Sequence, residues 1–122
     1  MSRWDVGFYE DEDGREPAKD FLVEDLTNVE RTRFIKRMQY LQQQGLRLAA
    51  ERPDILKKVK GEGKLFRLSM TKSQNNPRFL LCAQSGQRLV VLHGFKEKST
   101  SDYDRALTVA ARRRDKLQAK EP

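Results

Sequence analysis

Trp4, Val6 and Phe8 alternate with polar or small residues in the opening stretch Arg3-Trp4-Asp5-Val6-Gly7-Phe8-Tyr9, the period-2 pattern of a half-buried strand. Beyond the acidic run Glu10-Asp11-Glu12-Asp13 and the turn-former Gly14 the period changes. Pro17 stands where a helix begins, and Ala18, Phe21, Leu22 and Leu26 follow at spacings of three and four. Thr27-Asn28-Val29-Glu30 has the form of a capping box, so a second helix starts there. Its buried stripe is Phe34, Ile35, Met38 and Leu41, its wet side carries Arg33, Lys36 and Arg37, and Gly45 is a natural C-terminal cap. The two helices make a hairpin.

The pattern from Leu46 to Lys60 is irregular and reads as a connector packed on the core. Three short runs follow, Leu65 to Met70, Phe79 to Ala83 and Leu89 to His93, separated by turn-rich Gln74-Asn75-Asn76-Pro77 and Ser85-Gly86-Gln87. Links this short join antiparallel neighbours, giving a meander. The last two runs are almost continuously apolar, so both their faces should be largely covered. Ser101-Asp102-Tyr103-Asp104 then opens a helix with Tyr103, Leu107, Ala110 and Leu117 on its inner side. Together these elements predict an α+β fold of two layers, an antiparallel sheet of about four strands packed with an N-terminal helical hairpin and a C-terminal helix. A single domain over residues 1–122 is expected.

Charge narrows the partners. Twenty-five Lys and Arg against eighteen Asp and Glu leave a net charge of +7, which points to a polyanion, nucleic acid ahead of a membrane surface or an acidic protein. The apolar residues are gathered in blocks despite a mean hydropathy of −0.84, which favours folding over disorder. No apolar run approaches the roughly 20 residues of a membrane span and no secretory segment opens the chain, so a cytoplasmic protein is expected. One cysteine, Cys82, and one histidine, His93, leave no internal disulfide and no Cys/His zinc site. The acidic run lacks ordered ligand spacing and reads as a solvated loop, so neither metal nor cofactor is expected.

The candidate chemistry lies with the basic residues of the later strands. Arg67 interrupts its strand on the side of Leu65 and Ser69, and Arg78 begins the next. Rigid strand arginines suit bidentate phosphate binding, and the two meet on one face if the register allows; each could equally pair with a surface carboxylate. His93-Gly94-Phe95-Lys96-Glu97-Lys98 leaves the sheet at a rim. There His93 can move a proton, Lys96 and Lys98 can hold phosphate, and Phe95 can stack on a base. Simple alternation places Leu89, Val91, His93 and Phe95 on one face, where His93 and Phe95 would be core residues. Lys57, Lys58, Lys60 and Lys64 surround Gly61 and Gly63 as a mobile basic loop suited to an RNA backbone. Arg112-Arg113-Arg114 fits the helix dipole and solubility, and Cys82 reads as core packing.

In order and spacing, Lys64-Leu65-Phe66-Arg67, Arg78-Phe79-Leu80-Leu81, Val91-Leu92-His93-Gly94-Phe95 and a late helix with Ala106 and Leu107 resemble the RelE-superfamily toxins, specifically their HigB-like, phage-associated branch. The resemblance spans nearly the whole chain. It implies the toxin of a type II toxin–antitoxin pair, a ribosome-dependent mRNA endoribonuclease that needs no metal because the ribose 2′-hydroxyl attacks the adjacent phosphate. It also implies Arg67 and Arg78 as phosphate and transition-state ligands, Lys96 and Lys98 as further cationic contacts, His93 as an acid–base or orienting group and Tyr103 in reserve. The partners implied are mRNA, the ribosome and a helix-turn-helix antitoxin in a hetero-oligomer. Two departures stand out: Glu97 separates lysines that the branch usually places side by side, and the usual Thr-Pro before the last helix is missing from Ser99-Thr100-Ser101. A non-catalytic nucleic-acid-binding or regulatory module on the same scaffold is the competing reading, and a small DNA-binding phage protein a third.

Overall fold

A computed structural model describes residues 3–70, 73 and 75–121, so Gln74 of the anticipated turn lies outside the described residues. The elements run β1 (Asp5–Phe8), α1 (Pro17–Asp25), α2 (Asn28–Gln44), α3 (Arg47–Glu51), β2 (Leu56–Lys58), β3 (Leu65–Ser69), β4 (Pro77–Gln84), β5 (Arg88–Lys96) and α4 (Thr100–Lys120). The helix boundaries follow local chemistry. Pro17 occupies the first turn of α1, where its missing N–H costs nothing. Thr27 and Glu30 form the reciprocal capping box of α2, and Gly45 ends that helix at φ 58°. A side chain at Gly45 would collide with the Trp4 ring.

The sheet has five strands in the order β1-β5-β4-β3-β2, with β1 parallel to β5 and the remaining pairs antiparallel. The expected sheet of about four antiparallel strands is therefore enlarged and mixed. The addition, β2, lies in the stretch that reads as irregular connector, as does α3. Both are short, and β2 is an edge strand whose pattern of one buried and two exposed residues carries no period. The parallel β1–β5 pair is allowed because α1 to β4 all intervene between the two strands, the long connection that parallel neighbours need.

Helices cover both faces, adding a layer to the two expected. On one face Leu22, Leu26, Phe34 and Leu41 from the hairpin pack with Leu56, Leu68, Phe79, Leu81, Leu89 and Val91. On the other, Ala106 and Ala110 let α4 approach closely over Leu65, Leu80, Cys82, Val90 and Leu92, with Tyr103, Leu107 and Leu117 alongside. Burial raises the Cys82 thiol to about 11, as suits a packing residue.

A β-bulge decides which residues share a face. Leu80 pairs with His93 and the adjacent Leu81 with Val91, so β5 carries one extra residue, Leu92. Beyond the bulge the alternation is reversed. Leu89 and Val91 face the hairpin, whereas His93 and Phe95 lie opposite Leu80 and Arg78 on the α4 side. This corrects the single face that uninterrupted alternation assigns to all four. Arg113 of α4 donates to the displaced Leu92 carbonyl at 2.7 Å, satisfying an acceptor that the ladder no longer uses.

Gly94 sits just past the bulge because Phe21 and Phe79 lie against the strand there. An added Cβ would stand 2.4 Å from Phe21 and 2.8 Å from Phe79. Gly94→Ala is expected to cost about 1–3 kcal/mol in urea unfolding, the usual cost of overpacking a core. Phe21→Leu introduced beside it should recover part of that loss.

Candidate functional site

Register brings the two strand arginines together. Arg67 pairs with Leu80 and Ser69 with Arg78, so Arg67 and Arg78 are diagonal neighbours on the α4 face of β3 and β4. Lys57 of β2 lies directly opposite Arg67 on that same face, which makes a short row of cations across adjacent strands. Lys57, Lys58, Val59, Lys60, Arg67 and Tyr103 line a cleft of about 200 Å³ there. The Arg67 guanidinium lies over the Tyr103 ring at 5.6 Å, and Phe95 stands 6.3 Å from the same ring.

The arginines have donors to spare. Arg67 Nε and Arg78 Nε are both buried with no hydrogen-bond partner. Arg78 Nη1 reaches its neighbour's carbonyl, Pro77 O, at 3.3 Å, and Glu97 Oε1 comes no closer to Arg78 Nε than 3.9 Å, too far for a hydrogen bond. Burial lowers the pKa of Arg78, Glu97 raises it and Arg67 lowers it further, though a guanidinium keeps its charge throughout. Two like charges with unused donors, fixed on neighbouring strands, form a receptor for a divalent oxyanion.

The other anticipated residues divide. Phe95 is only 8% exposed, stacked on His93 and tilted against Tyr103, so its ring belongs to the core. Lys96 pairs with Pro77 at the strand end and by alternation stands on the hairpin side, away from Arg67 and Arg78. Lys98 is exposed, and its backbone N–H donates to Asp102 Oδ2 at the start of α4. Lys64 is exposed just before β3, in a left-handed conformation at φ 62°. The basic loop is tethered: Arg114 Nη1 donates to Glu62 Oε2 and Gly63 O, both at 2.9 Å.

His93 faces a separate cleft of about 380 Å³ with Arg113, Phe21, Asp11 and Asp20. Leu80 separates it from Arg67 along the cross-strand row. Burial, reinforced by Arg113, lowers its pKa to about 4, so the ring is neutral at pH 7. Arg113 has only donors, so the contact to His93 Nδ1 at 3.3 Å makes Nδ1 the acceptor and leaves the proton on Nε2.

The arrangement also uses residues that the linear pattern does not single out. Arg113 and Arg114, in a run that reads as solvated, instead hold the bulge and the basic loop. Glu30 accepts from Ser73 Oγ at 2.6 Å and Asn75 Nδ2 at 2.8 Å as well as from Thr27, tying the segment that leads into Arg78 to the start of α2. Burial alone would raise the Glu30 pKa, but these hydrogen bonds outweigh it and bring it to about 2. Long-range partners of this kind leave no periodic trace. Among the described residues no three or more His, Cys, Asp or Glu side chains form a set able to hold a metal ion. No helix among them is long and apolar enough to cross a membrane.

Comparison with known proteins places this geometry. The solved structure of the E. coli toxin RelE, an arginine-to-alanine double variant in the free state, superposes with a TM-score of 0.57 at 16% identity, covering 88% of this chain and 97% of that one. The fold is thus RelE-like. Residues 22–115 match the model of the phage-derived Gp49-like proteins, and the chain belongs to that family. No curated protein matches the sequence.

His93 and Glu30, both with lowered pKa values, make acid the weak side of the fold. The pKa of His93 is depressed in the fold, so the unfolded chain takes up its proton first and stability falls as pH drops from about 6.5 towards about 4. Glu30 acts lower, its contribution being complete above pH 4.5 and lost as pH falls towards about 2. Urea midpoints measured across this range should decline in two stages, with His93→Gln removing the upper stage and Glu30→Gln the lower.

Proposed function

We propose that this chain is the toxin of a type II toxin–antitoxin pair and that it acts as a ribosome-dependent mRNA endoribonuclease. The observation that carries the reading is the Arg67–Arg78 pair, with its buried unpartnered Nε donors beside a lysine-lined cleft. Family membership supports the toxin part of the reading, and the chemistry of the pair supports RNA as its target.

In this mechanism the 2′-oxygen of the substrate is the nucleophile, so neither a serine or cysteine nor a metal-bound hydroxide is required. Arg67 and Arg78 grip the scissile phosphate and neutralise the charge that grows on its oxygens as the transition state forms. Lys57, Lys58 and Lys60 bind flanking phosphates, and Tyr103 supports Arg67 from below. Lys64 and Lys98 extend the basic rim outward. His93, held by Arg113 against Phe95, orients the rim without taking the proton. The partners are mRNA on the ribosome and a helix-turn-helix antitoxin that covers the basic cleft, and the setting is the cytoplasm.

Expression of the chain should arrest growth and deplete full-length mRNA, and Arg67→Ala together with Arg78→Ala should abolish both while the protein stays folded. Unchanged toxicity of the double variant would falsify this site. Purified protein on translating ribosomes should cut mRNA equally well with EDTA-treated enzyme. Salt-sensitive RNA binding without any cleavage would instead favour the non-catalytic module. In single-stranded RNA binding, Lys57→Ala should reduce the slope of log affinity against log salt by about 0.7, one phosphate contact.

A further inference from the structure

We propose that Glu97 is the proton acceptor of the cleavage step, an assignment that rests on the ribonuclease reading above. Its carboxylate takes the proton of the ribose 2′-hydroxyl beside the phosphate held by Arg67 and Arg78.

Glu97 directly follows β5 and is pinned by its backbone. Its N–H donates to Asn76 O at 3.1 Å, and Asn76 Nδ2 donates to Glu97 O at 2.9 Å. Asn76 holds this position in a left-handed conformation at φ 45°, immediately before β4 delivers Arg78. The carboxylate thus enters the arginine site on a fixed backbone.

The state of its oxygen is informative. Glu97 Oε1 is buried and accepts no hydrogen bond, while Arg78 Nε, 3.9 Å away, donates none. A closed arginine–carboxylate pair draws its atoms to about 2.7–2.9 Å. Here the pair stays open, an unused acceptor and an unused donor 3.9 Å apart. A phosphodiester bound at the arginine pair gives Arg78 its oxyanion and offers the carboxylate a hydroxyl proton, so one substrate completes both groups.

Other candidates on the rim are committed elsewhere. Asp102 already accepts from the Lys98 N–H at 2.9 Å and from Arg105 Nη2 at 2.6 Å. His93 faces the other cleft, and its Nδ1 is engaged by Arg113. A lysine ammonium has donors only, and the Tyr103 ring is occupied beneath the Arg67 guanidinium at 5.6 Å.

The step balances without a co-reactant other than water. The 2′-O–H proton passes to a Glu97 carboxylate oxygen as the 2′-oxygen forms its bond to phosphorus. The bond from phosphorus to the 5′-oxygen breaks, and that oxygen takes a proton from water. Glu97 then returns its proton to the hydroxide so formed, leaving a 2′,3′-cyclic phosphate, a 5′-hydroxyl and an unchanged enzyme.

The test is single-turnover cleavage of a mapped mRNA on ribosomes by the wild type, Glu97→Gln and Glu97→Asp across pH, with binding of an all-2′-deoxy analogue measured in parallel. Glu97→Gln should slow cleavage by roughly 10²–10⁴-fold, bind the deoxy analogue no more weakly than the wild type and lose the acidic limb of the pH–rate profile. Glu97→Asp should keep that limb at an intermediate rate. Cleavage by Glu97→Gln at or above the wild-type rate, or a parallel loss of binding, overturns the assignment and leaves the ribonuclease reading standing. Absence of cleavage by the wild type overturns both. Should Glu97→Gln fail to fold, the wild-type profile still decides: a rate that does not fall in acid removes Glu97 as the acceptor.

Discussion

The hydrogen bond from Arg113 to the Leu92 carbonyl is the contact on which the arrangement of the molecule turns. β5 lies between β1 and β4 and is packed on both sides, so its register determines what each helical layer meets. One extra residue lets the first half of the strand present Leu89 and Val91 to the hairpin and the second half present His93 and Phe95 to α4. A bulge in so buried a strand strands a carbonyl, and an unpaired buried acceptor costs about 1–3 kcal/mol. Arg113 removes that cost from outside the sheet, and its place on α4 couples the seating of the last helix to the phase of the strand beneath it.

The same logic governs the basic cleft. Its cations come from β2, β3 and β4, and bringing them together is electrostatically unfavourable in the empty protein. The sheet accepts this because backbone pairing and two apolar layers position the arginines whatever their charges prefer. Glu30 fixes the segment that leads into β4, Arg114 fixes the loop that precedes β3, and Asn76 fixes the exit of β5. Each clamp is a charged or amide side chain reaching across the chain to a loop, and together they make a rim of surface loops into a defined receptor.

These features differ in how far the sequence reveals them. Elements with local causes are legible: Pro17 and the Thr27–Glu30 box mark helix starts, and the apolar runs around Leu81 and Val91 mark covered strands. The side of β3 on which Arg67 stands is also legible from alternation. Its meeting with Arg78 depends on register, which is set by turn geometry and by core packing across both faces. The bulge is hidden because Val90, Val91 and Leu92 are all apolar, so no change of pattern announces the reversal. β2 is hidden because three residues at a sheet edge are too few to show a period. The arginine run of α4 misleads for a different reason, since composition cannot distinguish a guanidinium left in water from one that reaches back to a carbonyl.

The parallel pairing of β1 with β5 also bears on how the molecule is made. Asp5 to Phe8 are made well before their partners Arg88 to Val91, from which α1 to β4 separate them. Contacts of such long sequence separation form late, because the loop between them must first be closed. While β1 waits, Val6 and Phe8 rest on the helical hairpin, and the arginine-bearing strands are made before β5 arrives to join them to β1. The cleft therefore cannot exist on a nascent chain until Tyr103, the last of its lining residues, has been made. The order of synthesis thus sets the assembly of the cleft after that of the helical hairpin, whose side chains support the opposite face of the sheet.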